Sequence, residues 1–108
     1  MTPELESFAF VLLRRGPRAA EFAGAELEEL QRLHLAHLAA LTARGKLVAG
    51  GPFSDQPDET LRGFCLYATS VDEARALAAE DPSVRAGRMA VDVMTWWTEK
   101  GSVSFHRR

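Results

Sequence analysis

Seven residues near the start of the chain, Ser7 to Leu13 (SFAFVLL), are apolar at nearly every position and rich in aromatic and β-branched types. A strand with one wet side alternates polar and apolar residues, so a strand without polar alternation is expected to be buried on both faces, in the middle of a covered sheet. Arg14, Arg15, Gly16 and Pro17 close the run. The rest of the chain must then supply neighbours for this strand and a layer to cover it.

From Ala25 to Ala43 the apolar spacing becomes helical, with Leu27, Leu30, Leu33, Leu38 and Leu41 on one side of the wheel. Arg44 and Gly45 mark its end. The stretch before it, Pro17 to Gly24, reads as a loop or an extra helical turn. Lys46 to Phe53 (KLVAGGPF) predicts a second strand, with a bulge or turn expected where Gly50, Gly51 and Pro52 interrupt a regular ladder. A polar loop, Ser54 to Thr60, joins it to a third strand at Leu61 to Thr69.

Ser70 and Glu73 form an S-x-x-E capping box for a second helix running to about Glu80, where Asp81-Pro82 stops it. Arg88 to Trp97 (RMAVDVMTWW) alternates as a last strand, with Trp96 and Trp97 on opposite sides. Thr98 to Arg108 reads as a polar, loose tail.

The order β-α-β-β-α-β predicts an α+β, ferredoxin-like fold: a four-stranded antiparallel sheet with two helices on one face. At 108 residues the chain is expected to be a single domain, with its core over about 7–97 and a tail over 98–108. The uncovered sheet face, carrying Met and Trp, would be an apolar patch that pairing with a second copy removes, so a homodimer through the open sheet face is expected.

Composition narrows the partners. A net charge of −2 with scattered basic residues offers no patch for a phosphate backbone, and nucleic acid is not expected. No stretch approaches the roughly 20 apolar residues that cross a membrane. Met1 to Ser7 lacks the basic start of a secretory signal, and the lone Cys65 suits a reducing compartment, so a cytoplasmic protein is expected. Cys65, Ser54 and Ser70 lack the paired base of an activated nucleophile.

One residue breaks the stripe of the long helix: His34 lies between Leu41 and Leu38, facing the sheet. A buried imidazole needs a polar partner, and reads either as a satisfied core histidine or as a proton carrier in a half-closed apolar site. His37 borders the same stripe; two histidines on one helix without a clear third ligand are weak grounds for a metal, and none is expected. Asp81 ends the second helix, and the fold sets the two helices side by side. Its carboxylate reads either as a helix stop or as the partner that fixes the tautomer of the imidazole. The glycines of Gly50-Gly51-Pro52-Phe53 lack the context of a phosphate loop; they read as a bulge, or as room for a ligand with Phe53 as a pocket wall.

His34-Leu35, then Gly45-Lys46-Leu47, Gly51-Pro52, the S-x-x-E-A stretch Ser70 to Ala74, and Asp81-Pro82 with Gly87 after it together resemble the YciI-related family over about residues 7 to 97. The resemblance implies a dimeric α/β-barrel, two ferredoxin-like units joined through their sheets. It also implies a pocket with a catalytic histidine and aspartate, which match His34 and Asp81, with His37 outside the motif. The function implied is a cofactor-independent enzyme of lyase or hydrolase type, acting on a small aromatic or carbonyl-bearing molecule. His34 would be its base, and Gly51, Pro52 and Phe53 would shape its substrate pocket. The alternative is a non-catalytic dimer that binds a small molecule. The residues name a site and not a substrate.

Overall fold

The computed structural model describes residues 2–106. Four strands, β1 (Leu5–Arg15), β2 (Leu47–Pro52), β3 (Leu61–Tyr67) and β4 (Met89–Glu99), form one antiparallel sheet in the order β2-β3-β1-β4. Helices α1 (Gly24–Ala43), α2 (Val71–Ala79) and α3 (Pro82–Arg85) complete a ferredoxin-like α+β fold. Between β1 and α1 the chain makes a single 3-10 turn at Ala19–Glu21. No helix among the described residues is long and apolar enough to cross a membrane.

The apolar first strand sits in the middle, as its composition requires, but its two sides differ. Ala9, Val11 and Leu13 point under the helices and are buried, whereas Phe10 and Leu12 on the opposite side are only half-buried. Burial on both faces is therefore not reached within one chain. The open side carries an aromatic row: Phe10 stacks on Phe64 at 5.1 Å, Phe64 meets Phe53 at 6.1 Å, and Phe8 meets Trp96 at 5.8 Å.

On the covered side α2 lies against β1 and β4, α1 against β2, and α3 joins α1 to β4. Ala74 and Ala78, one turn apart on α2, present so little side chain that the helix can lie close to the sheet, in one buried core with Val11 and Tyr67. Helix α1 ends at a left-handed Gly45 (φ 72°), with the Lys46 amide reaching back to the Leu41 carbonyl and the Gly45 amide to that of Thr42. This is the paired termination that glycine favours.

Several local expectations are corrected. The ladder irregularity in β2 falls between Leu47 and Ala49, before the glycines, which pair regularly with Cys65 and Phe64; Pro52 is tolerated because β2 is an edge strand. Ser70 caps α2 by accepting the Glu73 amide at 3.1 Å, but the Glu73 carboxylate turns to Lys46 Nζ at 2.8 Å instead of closing the capping box. Pro82 does more than stop α2. It is the first residue of α3, where its fixed φ suits a helix start and its missing N–H costs nothing.

The tail is also more ordered than its polarity suggests. β4 continues to Glu99, the Gly101 amide donates to Glu6 Oε2 at 2.9 Å, and Phe105 packs edge-on against Phe8 at 5.4 Å.

Candidate active site

Helix α1 and the edge of the sheet do not close completely. Ala49, Gly50 and Gly51 put almost no side chain on β2, and a hollow of about 500 Å³ remains between that strand and the His34, Leu35 and Leu38 side of α1. Cys65 and Leu47 line it from the helix side of the sheet, Phe64 and Arg62 from β3, and His106 from the tail. A Cβ built on Gly50 would meet the Phe64 carbonyl oxygen at 2.6 Å, so that position admits only glycine. One built on Gly51 meets nothing within 4 Å, so the small residue there keeps space open without being demanded by the backbone.

His34 stands in the inner wall of this hollow, 5 % exposed, and its Nδ1 lies 2.6 Å from Asp81 Oδ2, itself in a residue 3 % exposed. Asp81 reaches that place because it is the N-cap of α3. Its Oδ1 accepts the Ser83 amide at 2.9 Å, which fixes the carboxyl plane and aims Oδ2 at α1.

A carboxylate offers only acceptors, so the contact puts a proton on Nδ1, and in the neutral ring Nε2 then carries the lone pair. Nε2 makes no hydrogen bond among the described residues, yet it is not among their buried unpaired atoms, of which Ser83 Oγ is the only one. His34 lines the hollow, and the second nitrogen is the ring atom left for a ligand there. A base held in one tautomer, with one face to an apolar, ligand-sized space, is equipped to take a proton from a bound molecule.

The other residues singled out in the sequence separate into those at the hollow and those elsewhere. Gly51 and Pro52 line it. Phe53 does not; it stacks on Phe64, whose ring does, so it acts one layer back. His37 turns to α2, its Nε2 donating to the Leu77 carbonyl at 3.0 Å, which ties two helices together. Among the described residues no three His, Cys, Asp or Glu side chains are grouped to hold a metal ion. Burial, with Asp81 nearby, pushes the Cys65 thiol up to about 12, so the sulfur at the wall of the hollow stays protonated and is no nucleophile at neutral pH.

Sequence reasoning overlooked Gln31, Arg62 and His106, all at the hollow. Gln31 alone left a trace, since it sits one helical turn before His34 on the same side of α1.

The family model of the YCII-related domain matches residues 8–97. The chain belongs to the YCII-related family. No curated protein matches it. Among solved structures, this YCII-related chain is similar to the 5-chloro-2-hydroxyhydroquinone dehydrochlorinase of Burkholderia phenoliruptrix AC1100, in complex with 2,5-dihydroxybenzoquinone. The two are 25 % identical with a TM-score of 0.55, over 82 % of this chain and 92 % of the other. That protein is a dehydrochlorinase of an aromatic hydroquinone; the likeness extends over nearly its whole length.

Proposed function

We propose that this YCII-related protein is a cofactor-independent lyase that removes a proton and a leaving group from a small oxygenated ring or carbonyl compound. The observation that carries the reading is the 2.6 Å contact of His34 with Asp81, which commits one ring nitrogen and frees the other beside a hollow of ligand size. The likeness to a dehydrochlorinase supports the reaction class and, at 25 % identity, not the substrate.

In this reading His34 Nε2 takes the proton from a substrate carbon. The electrons of the broken C–H bond form a π bond to the neighbouring carbon, whose bond to the leaving group breaks with the pair departing on that group. The ring becomes an imidazolium, and Asp81 stabilises its charge through Nδ1–H, the part a buried carboxylate plays behind a catalytic histidine elsewhere. Loss of the captured proton to water restores the base. Leu38 and Phe64 are apolar walls of the hollow, and Gly51 leaves room for the substrate.

We propose that two copies pair through their open sheet faces, covering Met94 and Trp96, which are 42 % and 37 % exposed in the single chain.

The test is a panel of chlorinated hydroquinones and halogenated carbonyl compounds, assayed for halide release. For any compound turned over, His34→Ala and Asp81→Asn are expected to lower kcat/KM by about 10³-fold or more, with the thermal midpoint within a few degrees for Asp81→Asn. Unchanged turnover in either variant refutes the catalytic reading. Ligands that raise the thermal midpoint without being converted favour the non-catalytic binder instead.

A further inference from the structure

Apart from the His34–Asp81 pair, the polar groups at one end of the hollow point to the charge of its occupant. No carboxylate lines it among the described residues, while Arg62 stands exposed at its mouth without a salt-bridge partner among them. Gln31, one turn before His34, lines the same space, and its Oε1 accepts from Arg88 Nη1 at 3.1 Å. A guanidinium can only donate, so that bond fixes the amide with its oxygen toward Arg88 and leaves the Gln31 NH₂ as a donor with no partner among the described residues.

Arg88 is partly buried. Its pKa is pulled below the ordinary value by burial and by repulsion from Arg62, with Asp81 opposing. Arg62 and the Gln31 amide therefore bring unmatched donors to a hollow whose lining holds no carboxylate among the described residues, with the Arg88 guanidinium behind Gln31, an arrangement that suits an anion.

We propose that this end of the hollow is an anion subsite in which Arg62, with Gln31 and Arg88 behind it, binds a carboxylate or an ionised enol or phenol of the substrate. The assignment deepens the proposed function and rests on the reading that the hollow beside His34 is where the substrate sits. It adds a substrate class: an anionic molecule, anchored by one oxygen so that a defined carbon faces His34 Nε2. The same donors meet the negative charge that spreads onto ring oxygens as the proton leaves carbon, and being fixed in advance they need not reorganise.

The experiment measures equilibrium binding, with no turnover required, of two probes that share a ring: 2,5-dihydroxybenzoquinone, a vinylogous carboxylic acid that is ionised at neutral pH, and its uncharged dimethyl ether. The native protein is expected to bind the anion about tenfold or more tighter than the ether. Arg62→Gln, at an exposed position that folding tolerates, is expected to remove most of that preference while leaving affinity for the ether within about twofold. Arg62→Lys, which keeps the charge but loses the planar fork, is expected to fall between. Equal affinity for the two probes, failure to bind the anion, or a preference that survives Arg62→Gln overturns the proposal. Anion preference in a protein that converts no compound leaves the Arg62 assignment standing and refutes only the catalytic reading.

Discussion

Asp81 serves two structures with its two oxygens: Oδ1 starts α3 by accepting the Ser83 amide, and Oδ2 holds the His34 ring. The substitutions there separate these duties. Asp81→Ala removes a helix cap and strands a buried imidazole donor, with an expected loss of about 2–4 kcal/mol in urea unfolding. Asp81→Asn keeps an acceptor for Ser83, but its NH₂ faces the ring and favours the opposite tautomer, so it is expected to cost activity and little stability. Cys65 yields a prediction in pH. Its pKa is raised from 9.0 to about 12 by burial, so below pH 9 both folded and unfolded chains hold the proton and stability is flat; above it the unfolded chain ionises first and stability falls until the folded pKa is passed. Urea titrations near pH 8 and pH 10.5 are expected to differ by about 2 kcal/mol more in the native protein than in Cys65→Ala. At this scale the sequence was informative where a residue broke a pattern. His34 stands out because an imidazole interrupts a leucine stripe, and Asp81 because it precedes a proline. That the two meet follows from the packing of α3 against α1, which no local pattern contains, and an exposed Arg62 in a strand looks like any solvated cation.

Among the elements, β2 is the one on which the hollow depends. Its glycines have opposite duties, and substitution distinguishes them. A Cβ on Gly50, the partner of Cys65, would meet the Phe64 carbonyl oxygen at 2.6 Å, so Gly50→Val is expected to pry the edge strand away at a cost of about 2 kcal/mol or more. Gly51→Val, where the added atoms enter open space, is expected to change stability by less than about 1 kcal/mol while abolishing ligand binding, read by thermal unfolding and by titration of 2,5-dihydroxybenzoquinone. The unbroken apolar run of β1, the 3.6 spacing of α1 and the alternation of β4 made these three elements readable, because each pattern leaves little choice. α3 went unseen because four residues carry no period, and a proline that ends one helix is also the residue best suited to begin the next. The return of the tail was hidden for a related reason: Phe105 is a single apolar residue among polar ones, and its contact with Phe8 is made across most of the chain length.

For the whole molecule the governing fact is the difference between the two faces of the sheet. One is roofed by helices; the other exposes a row of aromatic rings that includes Phe10, Phe64 and Trp96. Phe64 belongs both to that row and to the wall of the hollow, so whatever covers the open face also bounds the site. Phe10→Asp is expected to convert a dimer to a monomer in sedimentation equilibrium, and to weaken binding of 2,5-dihydroxybenzoquinone although residue 10 lies outside the hollow. A native protein that sediments as a monomer refutes the pairing. The β-α-β-β-α-β order was legible from segment types alone, since connection rules leave few ways to fold such a string. The hollow was legible only as one of two readings of Gly50-Gly51-Pro52, beside a bulge, because it exists by the absence of side chains on an edge strand.

A basic nitrogen of His34 beside an accessible space underlies both the proposed base and the proposed ligand site. Long-range proton–nitrogen NMR of the histidine rings reads this directly, with His34→Gln assigning the signals. The expected spectrum at pH 8 has the His34 proton on Nδ1 and an unprotonated Nε2, whose resonance moves when 2,5-dihydroxybenzoquinone is added and whose tautomer reverses in Asp81→Asn. A proton on Nε2 in the native protein, or an Nε2 signal indifferent to saturating ligand, contradicts the account.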